Sequence, residues 1–137
     1  MAKMNQETRQ NIVDIFKQHG FDVKLKLSGK EEYKKNLMFN SAKFGSSIYI
    51  SKDTGISPSG EVNYLKVAVD PKYFRADAVD FSKGVESAVN KINKKNLFLS
   101  SNYKDFPIES GEVEPSAKCY KVANLESLGV LLSNLSR

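Results

Sequence analysis

The segment NQETRQNIVDIFKQHG carries Ile12, Val13, Ile15 and Phe16 on one helical stripe and places Gly20 just past it, where a left-handed cap is wanted. That predicts a first helix over residues 5–19. FDVKLKLSG then alternates strictly, with Phe21, Val23, Leu25 and Leu27 on one face and Asp22, Lys24, Lys26 and Ser28 on the other. Such a period of two predicts a half-buried strand ending at Gly29. KEEYKKNLMF has acids early and lysines late, as a helix dipole prefers, and reads as either a short helix or an irregular crossover.

Two runs rich in β-branched and aromatic residues follow, SIYIS and NYLKVAV, separated by KDTGISPSGE. They predict neighbouring antiparallel strands. Pairing Ile50 with Leu65 and Ile48 with Val67 collects these four and Val69 on one face and sends Tyr49, Tyr64 and Lys66 to the other. A slip by one residue would set the isoleucines beside Tyr64 and Lys66, a poorer core face. VDFSKGVESAVNKINKKN shows Phe81, Val85, Ala88, Val89 and Ile92 at helical spacing, which predicts the clearest helix of the chain, weakened modestly by Gly84. Its basic end, NKINKK, then suits the C-terminal dipole. NLFLSS reads as a short strand, NYKDFPIESGEVEPSA as a polar loop, KCYKVAN as a last strand, and NLESLGVLLSNL as a last helix. Asn124 caps that helix, and Leu125, Leu128, Leu131, Leu132 and Leu135 point inward.

Helices and strands in this mixed order predict an α+β fold. The expected architecture is a two-layer sandwich, a mostly antiparallel sheet of about five strands with three or four helices on one face. No repeat, low-complexity tract or linker divides residues 1–137, so one domain is expected. With 137 residues, 40% hydrophobic, the chain is long enough to bury a core without staples. The single Cys119 has no partner for an internal disulfide and sits in an alternating run, the signature of a small core residue in a reducing compartment. The first ten residues lack the apolar segment of a signal peptide, and no window approaches the ~18 apolar residues of a membrane helix. A cytoplasmic protein with no membrane partner is the expectation.

The chemistry is mostly one of exclusion. DTGISPSG has two glycines but no following Lys-Ser or Lys-Thr, and it runs into a strand, so it is no phosphate-binding loop. One Cys and one His do not complete a tetrahedral zinc site. His19 lies at a helix end, where an imidazole serves the carbonyl dipole. Hydrolases with a Ser or Cys nucleophile need a base beside it, and His19 is the only imidazole. A metal-dependent nuclease finds an acid-x-Lys element in Asp70-Pro71-Lys72, with Asp53 upstream. The expected hairpin puts those two acids at opposite ends, on the order of 25 Å apart at ~3.3 Å per residue. Glu31, Glu32, Asp77 or Asp80 would have to replace Asp53. No catalytic residue, metal-ligand set or cofactor motif is predicted.

What remains is a surface. The net charge of +5 attracts polyanions. If helices cover one sheet face, the other shows Lys24, Lys26, Tyr49, Tyr64 and Lys66, with Lys72, Tyr73 and Arg75 of PKYFR at its edge. Lysines meet phosphates and rings stack on bases, so the expected function is nucleic-acid binding. The same aromatic and basic residues suit a protein partner, and an inhibitor or accessory factor of the phage or mobile-element kind is the alternative.

Overall fold

The computed structural model describes residues 3–24 and 35–136. Helix α1, Gln6–Gln18, starts where the Asn5 side chain accepts the Thr8 N–H at 2.8 Å, and it buries Ile12, Val13 and Phe16. Gly20 follows at φ +83, where the chain turns into the sheet. The strands are β1 (Asp22–Val23), β2 (Asn36–Asn40), β3 (Ser47–Ser51), β4 (Leu65–Val69), β5 (Val85–Ser87), β6 (Phe98–Leu99) and β7 (Ser116–Val122). Helix α2, Leu125–Leu135, ends the described chain, capped by Asn124 as expected. Every pairing among the described residues is antiparallel, in the order β1-β2-β3-β4-β7-β5, and β6 also pairs with β7.

The β3–β4 register differs from the expected one by two residues: Ile50 pairs with Val67 and Ile48 with Val69. An even shift leaves every side chain on its face, so Ile48, Ile50, Leu65, Val67 and Val69 are all fully buried. The connection takes up the difference. Gly55 O accepts the N–H groups of Asn63 and Tyr64, and Ile56 bridges Val62, so Tyr64 belongs to a folded loop and not to the strand. Against this sheet face α1 and α2 pack a core in which the Phe16 and Phe39 rings stack at 3.7 Å.

One expected helix is absent, and a second stretch, which allowed either a short helix or an irregular crossover, is a strand over most of its described part. Asn36–Asn40 is a strand paired with β3, which removes the second half of the helix considered for KEEYKKNLMF; its first half lies outside the described residues. Residues 79–96, the clearest helical pattern, fold otherwise. Asp80 caps a single 3₁₀ turn, Phe81–Lys83; Gly84 enters the left-handed region; and Val85–Ser87 joins the edge of β7. Of the stripe, Val85 is fully buried, whereas Phe81, Val89 and Ile92 are 75%, 65% and 97% exposed. Backbone pairing with β7 outweighs a helix that β-branched residues and three asparagines support only weakly. The basic NKINKK segment is therefore a loop and not a helix C-terminus, with Lys91, Lys94 and Lys95 exposed.

The result is an α+β fold whose described residues form an open sheet of seven strands and two α-helices, in place of about five strands and three or four helices. Nor is it a two-layer sandwich. Tyr103 and Phe106, from the connection between β6 and β7, lie across the second face and bury Met38, Tyr49, Ala68, Ala117 and Cys119 in a smaller core. The α-helices alone could not have covered that face, and the long polar loop carries the aromatics that do.

Candidate functional site

The eight residues expected to form one platform fall into separate places. Lys26 lies outside the described residues. Tyr49 is 2% exposed, with Phe106 edge-on at 5.1 Å and Tyr103 at 5.5 Å, and its hydroxyl accepts the Asp105 N–H at 3.3 Å. A ring enclosed in this way has no open face for a base. Lys24 reaches the Asp105 carboxylate at 3.9 Å. Lys66 sits opposite Lys121 across β4 and β7, and each ammonium lies over a ring: Lys66 over Phe98 at 4.2 Å, Lys121 over Tyr64 at 4.4 Å. The rings' negative faces ease the repulsion between the two cations and occupy both tyrosine and lysine.

Lys72, Tyr73 and Arg75 are brought together. After β4, the Asp70 carboxylate accepts the Lys72 N–H at 2.9 Å and opens a 3₁₀ turn, Pro71–Tyr73, with proline preset for its first position. The turn sets Tyr73 against Phe44 at 5.2 Å, and Phe44 in turn meets Phe21 at 5.7 Å. A methyl on Gly45 would stand 3.2 Å from the Tyr73 hydroxyl, so the β2–β3 turn fits closely against that ring.

These residues line a cleft of about 870 Å³ between the C-terminal ends of α1 and α2, the β2–β3 turn and the Pro71–Tyr73 segment. Lys43 and Lys72 stand exposed on it, Phe44 and Tyr73 half-buried, and among the described residues that line it there is no carboxylate. Arg75 has a different task. Its guanidinium forks the Asp77 carboxylate at 2.8 and 3.0 Å, which raises its pKa, and donates to Asn134 O at 3.0 Å near the end of α2. The Tyr120 hydroxyl accepts from Arg75 N–H at 2.7 Å and donates to Arg75 O at 2.9 Å. Arg75 is an anchor of the cleft wall. His19 is likewise structural: Nδ1 donates to Ile15 O at 2.9 Å, leaving Nε2 to accept from Ser133 Oγ at 3.1 Å in the neutral ring.

A second cavity of about 550 Å³ adjoins the first, sharing Ser41, Ala42, Lys72 and Tyr73 with it. Asp70 lines this cavity, whereas Asp53 lines another, of about 260 Å³, beside Lys66 and Phe98. The register explains the separation: Asp53 lies past Ser51 at one end of β3, and Asp70 follows Val69, which pairs near the other end. Asp77 is committed to Arg75, and Asp80 caps Ser82. Among the described residues no group of three or more His, Cys, Asp and Glu could hold a metal ion. Cys119 is buried in the second core, and burial pushes its thiol up to about 12. No described helix is long and apolar enough to cross a membrane.

Lys43 and Phe44 escaped the sequence reading because NSAKFGS has no period and adjoins no paired charge. Their signal was a short Ser/Gly-flanked turn carrying a cation and a ring, which becomes meaningful only once it faces Tyr73. Comparison of the chain with protein-family models, curated proteins and solved structures finds no match.

Proposed function

We propose that this is a binding protein whose ligand is single-stranded nucleic acid, held in the cleft lined by Lys43, Phe44, Lys72 and Tyr73. One observation carries the reading: two exposed lysines and two accessible rings converge on a cleft of about 870 Å³ with no carboxylate among its described lining residues. Lys43 and Lys72 make no ion pair among the described residues, and Lys72 lies over the Tyr73 ring only at 5.8 Å, near the outer limit of a cation–π contact, so both can turn to phosphates. Tyr73 and Phe44 offer ring faces to bases, at ~1–3 kcal/mol per stacked base. A net charge of +5 raises the encounter rate with a polyanion.

The test is a titration of a labelled single-stranded oligonucleotide of about 12 nucleotides, within the usual site sizes. Binding should weaken steeply with salt, and Tyr73→Ala should weaken it about tenfold, the value of one lost stack. Lys72→Ala should also lower the salt slope by roughly 0.7, one phosphate contact on a single strand. Absence of binding at low salt overturns the proposal, and divalent-metal-dependent cleavage of the oligonucleotide would replace it with a nuclease.

The alternative, an inhibitor or accessory factor that binds a protein, draws on five large apolar side chains left exposed: Phe81, Val89, Ile92, Ile108 and Val113. They lie on the β4–β5, β5–β6 and β6–β7 connections, whereas the cleft gathers cations and rings in one place, which is why the cleft is preferred.

A further inference from the structure

Resting on that reading of the cleft, we infer that the ligand is RNA rather than DNA, its ribose 2′-hydroxyls donating to the carboxylates of Asp70 and Asp105 in the adjoining cavity. Lys72 and Tyr73 line both cavities, so the two are arms of one groove with this pair at its waist. The arms differ in sign. The first holds Lys43 and no described carboxylate; the second holds Asp70 and Asp105 beside Ser47 and Asn40.

A nucleotide at the waist, with its base on Tyr73 and its phosphate drawn to Lys43 and Lys72, turns its sugar toward the acidic arm. Phosphate is repelled there, and a hydrogen-bond donor is wanted. Asp70 spends one oxygen on the Lys72 N–H at 2.9 Å and keeps its other oxygen without a partner among the described residues. Asp105 accepts the Ser47 hydroxyl at 2.6 Å and has Lys24 at 3.9 Å, which fixes its carboxylate at the groove wall with accepting capacity to spare. A 2′-hydroxyl supplies the donor, and bonds to an ionised acceptor are the stronger kind. Deoxyribose has no such donor and meets only the repulsion.

The experiment compares labelled oligouridylate and oligodeoxyuridylate of about 12 nucleotides, together with the 2′-O-methyl oligouridylate, on the full chain. The RNA should bind roughly tenfold tighter than the DNA, and the 2′-O-methyl strand should bind like the DNA. Asp70→Asn keeps the cap on Lys72 N–H and should shrink the preference to about twofold, by weakening RNA while DNA holds or strengthens. Asp105→Asn keeps an acceptor for Ser47 and should act in the same direction. Equal binding of RNA and DNA overturns this inference and leaves the proposed function standing; binding of neither strand overturns both. An RNA preference that survives 2′-O-methylation, or that neither Asn variant reduces, overturns the assignment of the two acids.

Discussion

Gly84 sits at φ +79, and a Cβ there would stand 2.5 Å from Ser127 Oγ and 3.0 Å from Ala123 Cβ. Both facts act against any side chain: the left-handed backbone costs a non-glycine residue roughly 1–2 kcal/mol, and the contact forces Ser127 away from its bond to Asn124 at the start of α2. Gly84→Ala should therefore destabilise the protein by about 2 kcal/mol or more, read as a lower urea midpoint at constant slope. A midpoint within ~0.5 kcal/mol of the parent would mean that the turn relaxes freely. The same residue shows why the 79–96 pattern misled. A glycine inside an apolar stripe reads as a small helix penalty, but here it is the hinge that sends Val85 into the sheet.

At the scale of elements, residues 100–107 act as a strap over the second sheet face. Tyr103 and Phe106 supply its buried rings, and Asp105 ties it to Ser47 and to the Tyr49 hydroxyl. Phe106→Ala would leave a hole beside Tyr49 and should cost about 3 kcal/mol, the low end for a buried Phe. It should also raise the accessibility of Tyr49 to iodination with the fold retained. Loss of stability under ~1 kcal/mol, with Tyr49 still protected, would show that the strap packs without that ring. The strap's sequence reads as a polar loop because Tyr103 and Phe106 are only two rings among polar, proline and glycine positions, too few to establish any period. The β3, β4 and β7 runs and both terminal helices do follow one and are legible for that reason, whereas β2 and β5 are not.

Across the whole molecule, burial raises the pKa of Cys119 to about 12 and also raises those of Tyr103 and Tyr120. In the unfolded chain the thiol titrates at its ordinary value of 9.0, so above that pH the unfolded state sheds a proton the folded state still holds. Stability is therefore retained below pH 9 and falls as pH rises toward 12, with the tyrosines joining above their ordinary 10.0. Each such proton contributes a slope of up to about 1.4 kcal/mol per pH unit. Denaturation series through the alkaline range should show this decline, and Cys119→Ala should flatten its first part; a parent stability independent of pH there would contradict it.

Sequence by itself determined α1 and α2, the antiparallel β3–β4 pair and the common face of Ile48, Ile50, Leu65, Val67 and Val69. Those features repeat with the period of one element, so neighbours along the chain encode them, and even a two-residue register shift left the faces unchanged. Tertiary structure decided the rest: that β7 captured Val85–Ser87, that a loop buried Tyr49, and that Lys72 and Tyr73 met Lys43 and Phe44 across a cleft. These depend on which distant segment offers the better backbone pairing or ring contact, an energy carried by neither segment alone.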